Sequence, residues 1–233
     1  MIEKNIIQYL IESLTDVIFP NVCGICGKLD EKSLCKKCEM KLQKLKNINF
    51  QDFRDQNYNE LISIFSYEGI IRSNILNYKF KDKAYMAKTF AKFITNEKNV
   101  FEKIKTYDTI IPVPISKERM KQRGYNQSLI LAKELNKYLN LELVNNSLIK
   151  TKNVVEQSSL NKEERQKNII NAYELKNRQI LENKKVLIID DIYTTGSTVN
   201  ECAKMIRLAK PEKIGVLAFA KVTNDWGVMK WKI

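Results

Sequence analysis

Two groups of residues in this sequence have the type and spacing to do chemistry. The first is Cys23, Cys26, Cys35 and Cys38, which read C-G-I-C, eight residues, then C-K-K-C. Each C-x-x-C turn can aim two sulfurs at one point, and two such turns complete a tetrahedron suited to zinc. Gly27 and Asp30 lie in the linking segment and suit a tight reversal. Lys28, Lys32, Lys36 and Lys37 flank the cluster, offset the charge of a tetrathiolate and favour deprotonated thiols. The competing assignment is a pair of disulfides, which a chain without an export signal disfavours. A thioredoxin-like redox centre needs one such pair, not two. With four protein sulfurs as ligands no position stays open, so the expected role is structural, stabilising a small unit with little core of its own. Cys202 stands apart, at helical spacing among Val199, Ala203 and Ile206, and reads as a small buried hydrophobe.

The second group is V-L-I-I-D-D-I-Y-T-T-G-S-T at 186–198. An apolar strand runs into two acids, then a turn of Thr, Gly and Ser, then a helix. Thr194, Thr195, Gly196, Ser197 and Thr198 can offer backbone N–H groups and hydroxyls to a phosphate, helped by the positive end of the helix that follows. Gly196 permits close approach and positive φ. Asp190 and Asp191 are the candidate catalytic pair. They are placed to accept hydrogen bonds from ribose hydroxyls, or to hold a magnesium ion bridging to a pyrophosphate. An ordinary capped helix after a buried strand accounts for one capping residue, but not for two adjacent acids and five small or hydroxylated residues in a row. Neither a Walker A loop nor a G-x-G-x-x-G dinucleotide loop is present.

Composition sets the outer limits. The 233 residues carry a net charge of +13 and no histidine. That excludes a Ser-His-Asp triad, a Cys-His pair and any histidine-ligated metal. Residues 1–60 are charge-neutral, so the whole excess lies in 61–233. A basic field favours nucleotides, phosphosugars or nucleic acid, and a general lysine-rich bias that merely solvates the surface gives the same number. The first twenty residues carry Glu3, Lys4, Glu12 and Asp16 within an apolar pattern, unlike a signal peptide, and the expected compartment is the cytoplasm.

These groups must be carried by an α/β scaffold. Ile6, Ile7, Leu10, Ile11, Leu14, Val17 and Ile18 recur at helical spacing before Pro20. Residues 40–45 suggest a short helix, and 46–60, rich in Asn, Gln and Asp, a linker. Beyond Leu61 the pattern alternates: strands at 61–67, 109–113, 141–144, 185–190 and 213–220, helices at 70–81, 85–94, 127–139 and 197–209, and a polar, mobile stretch at 152–168. Such alternation predicts a mostly parallel twisted sheet, with ligands beyond its carboxyl ends. The expected division is an N-terminal helix and zinc module at 1–60 and an α/β domain at 61–233. On that division, metal removal should unravel the first unit and leave the second folded. Tyr78, Phe80 and Tyr85 lie among Lys79, Lys81 and Lys83, a pairing that suits stacking on nucleic-acid bases. Helical periodicity instead places the aromatics in the core and the lysines in solvent.

The segment 186–198 resembles the phosphoribosyl-pyrophosphate signature of type I phosphoribosyltransferases. Three further segments resemble the ComF branch of that group: I-P-V-P at 111–114 leading to R-G-Y-N-Q at 123–127; Gln157 and Leu160 with Arg165 and Asn168; and F-P-x-x-C-x-x-C at 19–26 followed by L-C-x-x-C. The matches run from about residue 14 to 222. Tyr125 and Tyr173 stand where the family more often has Phe.

The resemblance implies a type I phosphoribosyltransferase-like domain that binds phosphoribosyl pyrophosphate or a related phosphosugar with magnesium. It implies a pyrophosphate loop at Pro112, Val113 and Pro114, followed by Ser116. Lys117, Arg119, Lys121 and Arg123 are the basic side chains placed to neutralise the pyrophosphate, Arg123 foremost; a solvated basic face is the alternative for them, Lys121 above all. Residues 157–168 resemble the family's closing loop. If the chain is an enzyme it is a glycosyltransferase, with a nucleophile attacking C1 of an oxocarbenium-like ribose as pyrophosphate leaves, and with an acceptor the sequence does not specify. The ComF name implies a role in DNA uptake during natural transformation, with single-stranded DNA and a competence helicase as partners to expect. A non-catalytic single-stranded DNA-binding factor using the basic surface is the alternative.

Overall fold

The computed structural model describes residues 22–30, 32–151 and 172–223. The helix expected at 6–18 and the closing loop expected at 157–168 lie outside the described residues. Nine-residue strands K-V-L-I-I-D-D-I-Y and K-I-G-V-L-A-F-A-K are apolar on both faces, so each needs cover on both sides and belongs in the middle of a parallel sheet. They are β7 (Lys185–Tyr193) and β8 (Lys213–Lys221). Around them stand β1 (Lys46–Asp52), β2 (Glu60–Ser66), β3 (Thr109–Pro112) and β4 (Glu142–Leu143), in the order β1-β2-β8-β7-β3-β4. All neighbours run parallel except β1, which pairs antiparallel to β2. The short strands β5 (Leu148–Lys150) and β6 (Tyr173–Leu175) form a separate antiparallel pair.

The helices are α1 (Lys36–Leu45), α2 (Gly69–Phe80), α3 (Met86–Asn96), α4 (Lys98–Ile104), α5 (Lys117–Arg123), α6 (Gln127–Leu139) and α7 (Ser197–Arg207). Successive strand residues point to opposite faces. Leu187 and Ile189 of β7 join Leu217 and Phe219 of β8 in one core with α2, α3, α4 and α6. Phe90 stacks on Phe219 there, with ring centroids 4.0 Å apart. Val186 and Ile188 face the other way, to α7 and the β5–β6 pair.

Several expectations change. The segment 46–60 is not a linker. Its first half is β1, an edge strand whose mostly exposed, polar side chains hid it from the apolar pattern. The helix expected at 40–45 begins earlier, with Cys35 as its N-cap. The strand expected to end at Asp190 continues to Tyr193, so both acids are strand residues. Helices α4 and α5 were not foreseen. In α5 a charged run is organised by Ser116, whose hydroxyl accepts the Arg119 N–H at 3.3 Å, and ended by Gly124 at φ 74°.

Candidate functional site

At the carboxyl edge of the sheet, β3 and β7 end side by side. Pro112 is the register partner of Ile189, and Val113 N–H donates to the Ile189 carbonyl at 3.0 Å. Asn126 caps α6, accepting the N–H groups of Ser128 and Leu129 at 3.0 and 3.3 Å. Its amide also donates to the Val113 carbonyl at 3.0 Å. Ser128 Oγ in turn donates to Asp190 Oδ1 at 3.0 Å, and the Asp191 N–H donates to the same oxygen at 2.9 Å. The expected pyrophosphate loop, the start of α6 and the tip of β7 are therefore one hydrogen-bonded unit.

The two acids are adjacent in sequence and directed to opposite faces. Asp190 lies on the α7 side, where its charge adds to burial in pushing the Cys202 thiol up. Burial first, and the charge of Asp191 second, push the Asp190 carboxyl up to about 7. Asp191 lies on the α2 side, where Lys79 Nζ meets its Oδ2 at 2.9 Å. Both carboxylates are buried, at 8% and 2% exposure. They do not converge on one point, and each already has a partner. Among the described residues they form no ready-made magnesium site, contrary to that expectation.

The loop after them is open. Thr194 and Thr195 are exposed, and Ser197 and Thr198 are half-buried. The Thr195 and Ser197 hydroxyls lie 2.8 Å apart, and Gly196 caps α7 at φ 78° without a side-chain bond. A Cβ at Gly196 would collide with the Tyr193 hydroxyl, so glycine is required by space as well as by φ. That hydroxyl is bonded to Tyr58 Oη at 2.8 Å. Asn57, beside Tyr58, donates through its backbone N–H and its amide to Asn200 Oδ1 at 2.8 and 3.1 Å. The β1–β2 connection thus supports the loop and the first turns of α7 from behind.

Pro112 and Val113 are buried and Pro114 is half-buried. Arg123 is buried too. Its guanidinium carbon lies 4.7 Å from the Phe80 ring centroid, and Nη1 donates to Gln127 Oε1 at 3.1 Å. The side chain expected to lead in neutralising pyrophosphate is turned toward α2 and Gln127, while Lys117 and Lys121 are exposed. Tyr78 is core, as helical periodicity required, but Phe80 and Tyr85 are 58% and 40% exposed. Lys79, placed in solvent by the same pattern, is instead half-buried against Asp191. Nothing in a single helical segment marks which lysine will meet a distant aspartate.

The four cysteines come together. Their sulfurs all lie within 4.8 Å of one another, and Cys26 Sγ is 3.9 Å from Cys35 Sγ. Zinc–sulfur bonds of about 2.3 Å in a tetrahedron put sulfurs about 3.8 Å apart, so the donor set fits a metal ion such as zinc. All four are free thiols, not disulfides. Burial raises the Cys23 thiol, but backbone hydrogen bonds from Cys35, Cys26 and Ile25 outweigh it and bring the group down to about 7. Gly24 N–H donates to Thr89 Oγ1 at 3.1 Å, and Cys23, Leu34, Cys38 and Leu42 share the core that contains Phe90.

Residues 123–230 match the phosphoribosyl transferase domain. Competence protein F of Haemophilus influenzae is 28% identical over 72% of this chain and 75% of its own length. Competence protein ComFC of Bacillus subtilis is 26% identical over 93% of this chain and 83% of its own. The chain is similar to these competence proteins along most of its length. The match to the domain begins at Arg123, while the relatives extend the likeness toward the cysteine module. A purine phosphoribosyltransferase from Pyrococcus horikoshii Ot3 is a remote structural likeness, with a TM-score of 0.36 and 17% identity over 64% of this chain and 91% of that one. No helix among the described residues is long and apolar enough to cross a membrane.

Proposed function

We propose that this chain binds phosphoribosyl pyrophosphate or a related phosphoribose, and that it acts in DNA uptake. The observation that carries the first part is the open loop 194–198, capping α7 directly beyond two buried acids at the carboxyl edge of a parallel sheet. In this reading the sugar phosphate lies against the N–H groups and hydroxyls of Thr194, Thr195, Gly196, Ser197 and Thr198. Pro112, Val113 and Pro114 form the pyrophosphate side, with Arg123 bracing Phe80 and Gln127 behind them. Asp191 accepts a ribose hydroxyl, and Asp190 holds the loop through Ser128. Magnesium arrives with the pyrophosphate, since Asp190 and Asp191 point to opposite faces and do not converge on one ion. The cysteine cluster holds structural zinc.

The DNA role is supported by relatives whose names are competence proteins. A second reading, direct binding of single-stranded DNA without turnover, is favoured by exposed Phe80 and Tyr85 among lysines, and by the +13 charge. Thermal melting with phosphoribosyl pyrophosphate and magnesium tests the first reading. At a ligand concentration of about 100 times Kd the stabilisation is about 2.7 kcal/mol, a shift of several degrees. Gly196→Val, whose side chain would press on Tyr193 and distort the loop, should remove that shift while leaving salt-dependent DNA binding intact. A wild-type protein that melts identically with and without the ligand would refute the first reading, and DNA binding independent of salt would refute the second.

A further inference from the structure

We propose that Lys79 is a binding residue for the phosphorylated ligand, held by Asp191 in the ligand-free protein and transferred to an anionic oxygen of the ligand on binding. This inference rests on the phosphoribose reading above and adds a residue and a movement to it.

Three observations converge on Lys79. It sits at the carboxyl end of α2, far from β7 in sequence, yet its ammonium meets Asp191 Oδ2 at 2.9 Å. The Lys79 side chain is 17% exposed and that of Asp191 is 2% exposed, so the pair is largely withdrawn from water. Its partner Asp191 is near the carboxyl end of β7, shortly before the loop 194–198, and the neighbouring strand β3 ends at Pro112 opposite Ile189. The end of α2 is itself fixed there: Tyr78 Oη donates to the Gln127 carbonyl at 2.6 Å, and the Tyr125 hydroxyl donates to the Tyr78 carbonyl. The backbone that carries Lys79 is anchored, while its four-carbon stem retains rotatable bonds.

A buried ion pair is a poor stability device. Desolvation of the two charges roughly cancels their attraction, and apolar replacements often do as well. An ion pair kept at a binding edge needs another reason. Lysine also differs from arginine here. A permanent carboxylate partner is better made by a planar two-pronged guanidinium, whereas an ammonium is a point charge that can pass from one oxygen to another. In the ligand-free protein Lys79 neutralises Asp191. When a ribose hydroxyl donates to Asp191, the ammonium becomes available to a phosphate oxygen nearby. The protein then brings its own cation to a site whose acids form no magnesium cage.

The test uses inorganic pyrophosphate and ribose 5-phosphate as separate probes, each titrated calorimetrically into wild type, Asp191→Asn, Lys79→Met and the double variant. Phosphoribosyl pyrophosphate is titrated into wild type alongside. Asp191→Asn releases Lys79, so it should bind the anion that Lys79 reaches at least threefold more tightly than wild type. The double variant should bind that anion at least tenfold more weakly than Asp191→Asn. The probe that shows the effect tells whether Lys79 serves the pyrophosphate or the 5-phosphate. Lys79→Met alone leaves a buried uncompensated carboxylate and can misfold, but the double variant removes both charges and keeps the comparison intact. If Asp191→Asn and the double variant bind both probes equally while wild type binds phosphoribosyl pyrophosphate, Lys79 does not touch the ligand and this inference alone falls. If wild type binds no phosphoribosyl pyrophosphate, the parent reading falls and this one with it.

Discussion

Asp190 shows how little of a residue's role is contained in its place in a motif. The D-D pair was legible because an ordinary capped helix after a buried strand accounts for one capping residue, not for two adjacent acids. Their divergence was not, because it depends on the strand continuing to Tyr193, and a continuing strand alternates its side chains. Asp190 therefore became a buried group bonded to Ser128, raised to about 7 by burial and then by Asp191. The sign of its effect on stability follows. In the unfolded chain the carboxyl loses its proton near pH 4, while the folded protein keeps it to about pH 7. Between those values the folded state holds the extra proton, so this group makes stability fall as pH rises. Asp190→Asn stays neutral and lacks that slope. Urea unfolding at pH 5 and pH 7.5 should show the variant gaining on wild type by more than about 1 kcal/mol at the higher pH. Parallel pH profiles for the two proteins would rule out this account of Asp190.

Elements with strong periodicity were readable: β7, β8, α6 and α7 lie close to where apolar spacing put them. Those that escaped did so for physical reasons. In β1, K-N-I-N-F-Q-D has an edge strand's exposed, polar character, and only pairing with β2 defines it. The start of α6 was readable in part. Asn126 stood in the R-G-Y-N-Q motif as a helix start, but its bond to Val113 and the reach of Ser128 to Asp190 are tertiary. The convergence of the four cysteines was legible in their spacing, and the docking of the module was not. Because Cys23, Cys38, Leu34 and Leu42 share a core with α3, and β1 continues into the main sheet, metal removal should be felt beyond 1–60. A chelator strong enough to take zinc should lower the melting midpoint of the α/β transition by about 5 °C or more, since each 1 kcal/mol is worth about 2–4 °C at this size. An unchanged main transition, with proteolysis confined to the first 60 residues, would instead favour two separate units divided at 60/61.

For the whole molecule, the strand order and the site belong together. Central β7 and β8 are hydrophobic enough to be buried on both faces, so their ends meet at a carboxyl edge where loops can be spared for binding. The wall behind that edge is built from distant parts of the chain: Tyr58 and Asn57 brace the loop 194–198, and Lys79 closes on Asp191. A sequence can announce the loop, because its residues are contiguous. The bracing residues are joined only by folding, and their types alone do not distinguish them from ordinary core or surface positions. The measurement that tests the central claim most directly is a crystal of this protein soaked with phosphoribosyl pyrophosphate and magnesium. The account predicts density for the 5-phosphate within hydrogen-bond distance of the 194–198 backbone, with a ribose hydroxyl on Asp191. A saturated crystal with the ligand bound elsewhere, or with that loop unchanged and empty, would contradict it.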